Sequence, residues 1–206
     1  MILVPQVGSP SLVASVMMAS WPVASTKWTA ARTLGAMLPL VDEQRRNEAL
    51  RYKFLFGQFA CLKSWLMLRD LLAPLGIDDL EMVFNEHGKP SLKHHPDTHF
   101  SLSHCKNGIA VAVDSSPVGI DIEGFRCPSM ALVNKTMNPA EAKWIKAYSD
   151  PVASFTQYWT KKEAVVKMRG TGITDDLHRV LDGEGYRLES FVNREKHYAW
   201  SVAYSL

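Results

Sequence analysis

The segment Gly119-Ile120-Asp121-Ile122-Glu123 sets two carboxylates two positions apart in a run of β-strand character. Residues so spaced share a face of a strand. Asp121 and Glu123 therefore project together with Cα atoms roughly 6–7 Å apart, while Ile120 and Ile122 point to the core. Two like charges at that spacing repel unless a cation or water relieves them, although a lone Asp-x-Glu also suits a solvated outer face. A second segment, Trp159-Thr160-Lys161-Lys162-Glu163-Ala164-Val165-Val166-Lys167, is helical in character. Trp159, Glu163 and Lys167 fall at four-residue steps on one face and Lys162 a quarter-turn away. Alone, this is an exposed Glu-to-Lys pair worth about 0.3 kcal/mol. Beside Asp-x-Glu, a third carboxylate makes a hard-oxygen site suited to Mg²⁺, which completes its shell with waters and substrate phosphate oxygens. Lys167 would then meet phosphate charge that the metal leaves exposed.

Two weaker signals precede these, Gly88-Lys89-Pro90 and Ser101-Leu102-Ser103-His104, both at turns or strand ends. Lys89 and His104 are placed to reach a common cleft. His87, His94, His95 and His99 match no helical His pair and offer no tetrahedral frame, so zinc is not expected. Cys61, Cys105 and Cys127 are an odd set without Cys-x-x-Cys spacing, which fits a reducing cytoplasm better than a disulfide framework. Cys105, although next to His104, reads as a bystander.

The elements that must carry these residues change along the chain. Asp42 to Leu72 reads as one long helix with a break near Gly57, with Asp42 as its N-cap and Pro74 and Gly76 as its stop. Leu80–Phe84 and Phe100–Ser103 read as strands, Lys106-Asn107-Gly108 as a hairpin turn into Ile109–Val113, and Val118–Glu123 as a further strand. Asn138-Pro139 opens a short helix to Ala147, and a longer one runs from Pro151 to Met168, closed by Gly170. Tyr186–Val192 and Tyr198–Tyr204 close the chain as strands. This grammar predicts an α+β protein of two halves, 1–115 and 116–206, with a ligand cleft between them.

Composition sets the outer bounds. The 206 residues are 47% hydrophobic and 21% charged, with a formal charge of +2, too small to make nucleic acid the leading partner. No uninterrupted apolar run reaches the length of a spanning helix, so no membrane role is expected. The apolar stretch from Ser11 to Ala24 lacks the basic start of an export signal, since Met1–Ser20 contains no Lys or Arg.

Taken in order, Gly88-Lys89-Pro90, Phe100-Ser101-Leu102-Ser103-His104, Gly119-Ile120-Asp121-Ile122-Glu123 and Trp159-Thr160-Lys161-Lys162-Glu163-Ala164-Val165-Val166-Lys167 resemble the surfactin-type 4′-phosphopantetheinyl transferases. The resemblance covers roughly Asp42 to Gly172 and implies two similar α+β halves with coenzyme A between them. It implies transfer of the phosphopantetheine arm to a serine hydroxyl of an apo acyl or peptidyl carrier protein, a holo-[acyl-carrier-protein] synthase reaction releasing adenosine 3′,5′-bisphosphate. By motif position, Asp121, Glu123 and Glu163 match the family's Mg²⁺ carboxylates, with Glu163 or a metal-held water as base and Lys167 near the pyrophosphate. Lys89, Ser103 and His104 match its coenzyme A contacts, and Lys53 or Arg51 would supply the basic group that holds the nucleotide phosphate. Lys27 or Arg32 are candidates for its N-terminal basic contacts. A cytoplasmic monomer is the expected assembly. The alternatives are a coenzyme A-binding module without turnover, or another Mg²⁺-dependent phosphodiester-cleaving enzyme.

Overall fold

The computed structural model describes residues 2–3, 15–19, 27–172 and 176–206, those up to residue 30 by their backbone alone. Lys27 begins a helix there, and its side chain lies outside the described residues. Nine strands and six α-helices are described, in the order β1 (Ile2–Leu3), β2 (Ser15–Ala19), α1 (Lys27–Met37), α2 (Glu43–Leu50), α3 (Leu55–Leu72), β3 (Met82–Phe84), β4 (Pro90–Leu92), β5 (His99–Cys105), β6 (Gly108–Asp114), β7 (Val118–Gly124), α4 (Met130–Thr136), α5 (Pro139–Ala147), α6 (Pro151–Arg169), β8 (Tyr186–Asn193) and β9 (Tyr198–Ser205). The protein is α+β, as its sequence grammar implies.

Two sheets carry the architecture. One has the order β1-β2-β6-β5 and the other β7-β9-β8, with β3 and β4 a separate hairpin. In each, a leading strand is followed by helices and then by a hairpin whose second strand takes the central place, so β2-β6-β5 and β7-β9-β8 share a connectivity. The apolar N-terminal stretch has an internal explanation: Ser15–Ala19 pairs antiparallel with β6, Val16 opposite Ala112 and Met18 opposite Ala110.

The first half's core forms where α3 lays Phe59, Leu62, Leu66 and Leu72 on Ile109, Val111 and Val113 of β6. Strand alternation sends Ala110 and Ala112 to the opposite face, against Ile120, Ile122 and Val202 of the second sheet. The long helix expected over 42–72 is two helices, broken at 51–54 and not at Gly57. Asp42 caps α2 by accepting a hydrogen bond from the Arg45 amide at 2.8 Å. At the break, Gln58 Nε2 donates to the Tyr52 carbonyl at 2.9 Å. The Tyr52 ring lies so close to Gly57 that a Cβ there would sit 2.8 Å from Cδ1. Gly57 thus accommodates the break without being its site. Helix α4 leaves no periodic signal in the sequence, because its seven residues make too few turns to show one.

In the second half the punctuation reads as expected. Asn138 and Glu141 form a reciprocal capping box at the start of α5, with Pro139 in the first turn. Asp150 caps α6, and Gly170 ends it in the left-handed region at φ 72°.

Candidate active site

Helix α6 lies against β7 at Gly119. A Cβ at this position would fall 2.1 Å from the Ala164 carbonyl oxygen and 2.2 Å from the Met168 amide nitrogen, so only glycine permits the approach. The approach brings the two motif segments together, since Gly119, Asp121 and Glu123 face α6 while Ile120 and Ile122 enter the core between the sheets. Asp121 is buried, which excludes the solvated-face reading of Asp-x-Glu. Lys167 Nζ lies 2.6 Å from Asp121 Oδ1, and Ser103 Oγ donates to the same oxygen at 2.8 Å.

Glu163 and Glu123 complete an acidic group around Asp121. Burial, then the Asp121 charge, pushes the Glu163 carboxyl above its ordinary range, with Lys167 opposing. Glu123 is raised for the same two reasons, with Arg126 opposing. Asp121 Oδ2 and Glu163 Oε1 are buried without a hydrogen-bond partner. Two orphaned carboxylate oxygens inside an acidic cluster are costly in a protein interior and fit a hard divalent cation.

These carboxylates do not yet converge to one point. The only trio among the described residues whose ligand atoms all lie within 4.8 Å of one another is Asp79, Glu81 and His94, all exposed. There Lys93 Nζ already sits 2.6 Å from Glu81 Oε1 and His94 Nε2 3.2 Å from Oε2, an ordinary surface ion-pair cluster.

Between the halves runs a cleft of about 450 Å³, to which Arg45, Lys89 and His104 contribute from the first half and Glu163, Val166 and Lys167 from the second. A wider groove of about 830 Å³ beside α4 and α5, lined by Met137, Pro139, Lys143 and His178 among others, carries no carboxylate and none of the motif residues. His104 packs near Phe56, ring centroids 6.1 Å apart, and desolvation followed by the Lys167 charge lowers its pKa. Lys89 lines the cleft, but its ammonium donates to the Met168 carbonyl at 2.8 Å and the Val118 carbonyl at 3.4 Å. The Gly-Lys-Pro turn therefore docks on the end of α6, where Asn85 Nδ2 also donates to the Gly170 carbonyl at 2.9 Å. Ser103 is buried and is absent from the cleft lining.

The expectation for the nucleotide-phosphate group needs correction. Arg51 and Lys53 are exposed in the break between α2 and α3 and do not line the cleft, and the Lys53 ammonium instead lies 5.7 Å from the Phe54 ring. The cleft's first-half guanidinium is that of Arg45, on α2. It stacks 3.8 Å above the Trp65 ring and pairs with Glu48 at 3.0 Å, and its Nε is buried without a partner. Nothing in the run Arg45-Arg46 tells the two apart; only the fold does, by turning Arg46 back to the Leu38 and Val41 carbonyls. Lys162, a quarter-turn from the face of Glu163 and Lys167, turns into the protein interior. It is fully buried, 2.7 Å from Glu141 Oε2 and donating to the Leu177 carbonyl at 2.6 Å. Cys105 is also buried, which pushes its thiol up to about 11 and leaves it a poor nucleophile at neutral pH.

The family model described as the 4′-phosphopantetheinyl transferase superfamily matches residues 117–205, from the approach to β7 through β9. The transferase psf-1 of Bacillus pumilus is 30% identical over 155 residues, 72% of this chain. The chain belongs to the 4′-phosphopantetheinyl transferase superfamily. A 4′-phosphopantetheinyl transferase of Bacillus subtilis is 29% identical over 67% of the chain, and the transferase AcpT of Salmonella typhimurium is 37% identical over 52% of it. The matched stretches span 66%, 64% and 58% of these three relatives, less than two thirds of their own lengths. The superfamily match covers the half that carries Asp121, Glu123, Glu163 and Lys167; Arg45, Lys89 and His104 lie outside it.

Proposed function

We propose that this protein is a Mg²⁺-dependent 4′-phosphopantetheinyl transferase that moves the phosphopantetheine arm of coenzyme A to a serine hydroxyl of an apo carrier protein. One observation carries the reading: Asp121 Oδ2 and Glu163 Oε1 are buried and unpartnered in one acidic cluster, and Glu163 lines a cleft together with Arg45, His104 and Lys167. Asp121, Glu123 and Glu163 would hold the cation, which when bound supplies charge neutralisation for the pyrophosphate.

The chain's own residues supply the rest. The carrier's hydroxyl oxygen attacks the β-phosphorus of coenzyme A, and the bond from that phosphorus to the bridging oxygen breaks, releasing adenosine 3′,5′-bisphosphate. Glu163 has two oxygens, so one can face the cation while the other takes the hydroxyl proton, and its raised affinity for protons suits that task. Lys167 spends two N–H donors on Asp121 and Ser103, which leaves one for the leaving phosphate. Arg45 and His104 bind the nucleotide end of coenzyme A. Lys89 acts by holding the end of α6 in place, with its stem on the cleft wall.

No described helix is long and apolar enough to cross a membrane. Three unpaired thiols suit a reducing compartment, and we place the protein in the cytoplasm as a monomer. The test is to incubate the protein with Mg²⁺, coenzyme A and a panel of apo carrier proteins and to weigh the carriers. The expected result is one phosphopantetheine added to a single serine, abolished by excess chelator. If no carrier gains mass while coenzyme A still binds, the reading fails.

A further inference from the structure

We propose that Ser103 is a positioning residue, which fixes the carboxylate of Asp121 so that one oxygen faces the cation, and that it is not a nucleotide contact. The inference rests on the proposed metal site and concerns how the chain builds it.

The hydrogen-bond count around the Ser103 hydroxyl determines its role. A serine hydroxyl has one proton to give and two lone pairs to receive with. Ser103 Oγ lies 3.0 Å from Lys167 Nζ, 3.3 Å from the Ile122 amide nitrogen and 2.8 Å from Asp121 Oδ1. An ammonium and a backbone amide can only donate, so both lone pairs are taken. The proton must then go to Asp121. No capacity remains on this hydroxyl for a phosphate or ribose.

The same count separates the two oxygens of Asp121. Oδ1 receives two hydrogen bonds, from Ser103 and from Lys167 at 2.6 Å. Oδ2 is buried and receives none. Because Ser103 is itself anchored by the Ile122 amide one residue from Asp121, the carboxylate cannot rotate to exchange its oxygens without breaking both bonds. Oδ2 is therefore the oxygen left for the cation, as Oε1 is on Glu163, the other orphaned carboxylate oxygen of the acidic cluster. Partners behind a metal ligand that set its orientation typically contribute 10- to 100-fold in metal affinity.

Ser101 supplies the control. It lies two residues earlier on β5 and accepts the Ile120 amide at 3.0 Å in the same manner, with no bond to a carboxylate. Because Ser101 lines the cleft, Mn²⁺ binding to the full chain is followed by electron paramagnetic resonance of the free ion both with and without coenzyme A, with a protein-free coenzyme A blank, alongside thermal unfolding. Ser103→Ala should raise the Mn²⁺ dissociation constant by about 10- to 100-fold, and Ser103→Thr should restore it. Ser101→Ala should lower the unfolding midpoint about as much as Ser103→Ala and leave Mn²⁺ affinity unchanged. If Ser103→Ala folds poorly, Ser103→Cys, a weak donor of similar size, must shift affinity in the same direction. Equal Mn²⁺ affinity in wild type and in the folded Ser103 variants overturns the positioning role alone. Absence of Mn²⁺ binding by wild type overturns the metal site itself.

Discussion

Replacing Lys162 by Met tests whether the second half is held together by a buried charge pair. Lys162 has no exposed surface, and its ammonium contacts Glu141 Oε2 at 2.7 Å and the Leu177 carbonyl at 2.6 Å, so one side chain joins α5, α6 and the segment after α6. Glu141 is itself buried and uses the same oxygen to accept the Asn138 amide at 2.8 Å. Met fills much of the volume but strands that carboxylate. Removing one partner of a buried pair costs about 3–5 kcal/mol. At about 2–4 °C per kcal/mol for a chain of this size, the unfolding midpoint should fall by roughly 6–20 °C. Adding Glu141→Gln removes the stranded charge and retains the capping bond, since Gln serves in a capping box as Glu does, and should recover more than half of the loss. Differential scanning calorimetry of wild type, both single variants and the double variant checks this, with transfer assayed well below the lowest midpoint. A Lys162→Met midpoint within about 2 °C of wild type, less than about 1 kcal/mol, would refute the reasoning. So would a double variant less stable than Lys162→Met. Transfer per folded molecule should survive, because Lys162 does not line the cleft.

Glu163→Gln should reduce carrier modification by at least about 100-fold, the scale of a lost general base, while leaving the unfolding midpoint level or higher because it removes a carboxyl whose ionisation burial opposes; near-normal transfer would end the case for α6 as half of the site. Gly119→Ala should cost at least about 1–3 kcal/mol, the usual range for overpacking, and weaken Mn²⁺ binding as well, because a Cβ would push α6 off β7; unchanged calorimetry and metal affinity would exclude that contact. For His104 the pKa is lower in the folded than in the unfolded chain, so it contributes stability above about pH 6.5 that is lost as pH falls through the folded value, and His104→Gln should flatten that part of the midpoint-against-pH curve. The same variant should raise the dissociation constant for coenzyme A in calorimetric titration, and an unchanged constant would remove His104 from the binding surface.

What could be read from the sequence was whatever depends on neighbours along the chain. Asn138-Pro139 and Gly170 mark helix ends through their own hydrogen bonding and backbone preference, and the structure has caps at both. Strand alternation puts Asp121 with Glu123 and Ile120 with Ile122 whatever the sheet packs against. What could not be read depends on residues far apart. Arg45 and Lys53 are equally charged in sequence, and only the helix break at 51–54, fixed by contacts of Tyr52 with Gly57 and Gln58, puts the first in the cleft and the second in solvent. Lys162 reads as one more lysine of a charged helix, because its partner Glu141 is 21 positions earlier and the Leu177 carbonyl 15 later. The motif resemblance names candidate carboxylates by position alone and carries nothing of the hydrogen bonds from Ser103 and Lys167 that reach Asp121 Oδ1.

The site's location follows from how the two sheets meet. β5 ends one sheet and β7 ends the other, and each presents an edge that would ordinarily invite a further strand. They face each other without forming a ladder. The Ile120 and Ile122 amides of β7 are satisfied by the hydroxyls of Ser101 and Ser103 on β5. A hydroxyl stands further from its backbone than a carbonyl oxygen, so this seam holds the strands apart while pairing the Ile120 and Ile122 amides. It also brings a proton donor into the seam, which a backbone ladder would not, and Asp121 takes that proton. The substitution of side chain for backbone that lets the halves meet is thus also what gives the buried carboxylate a fixed direction. An active site between these halves needs both, and two serines on alternate positions of one strand supply them.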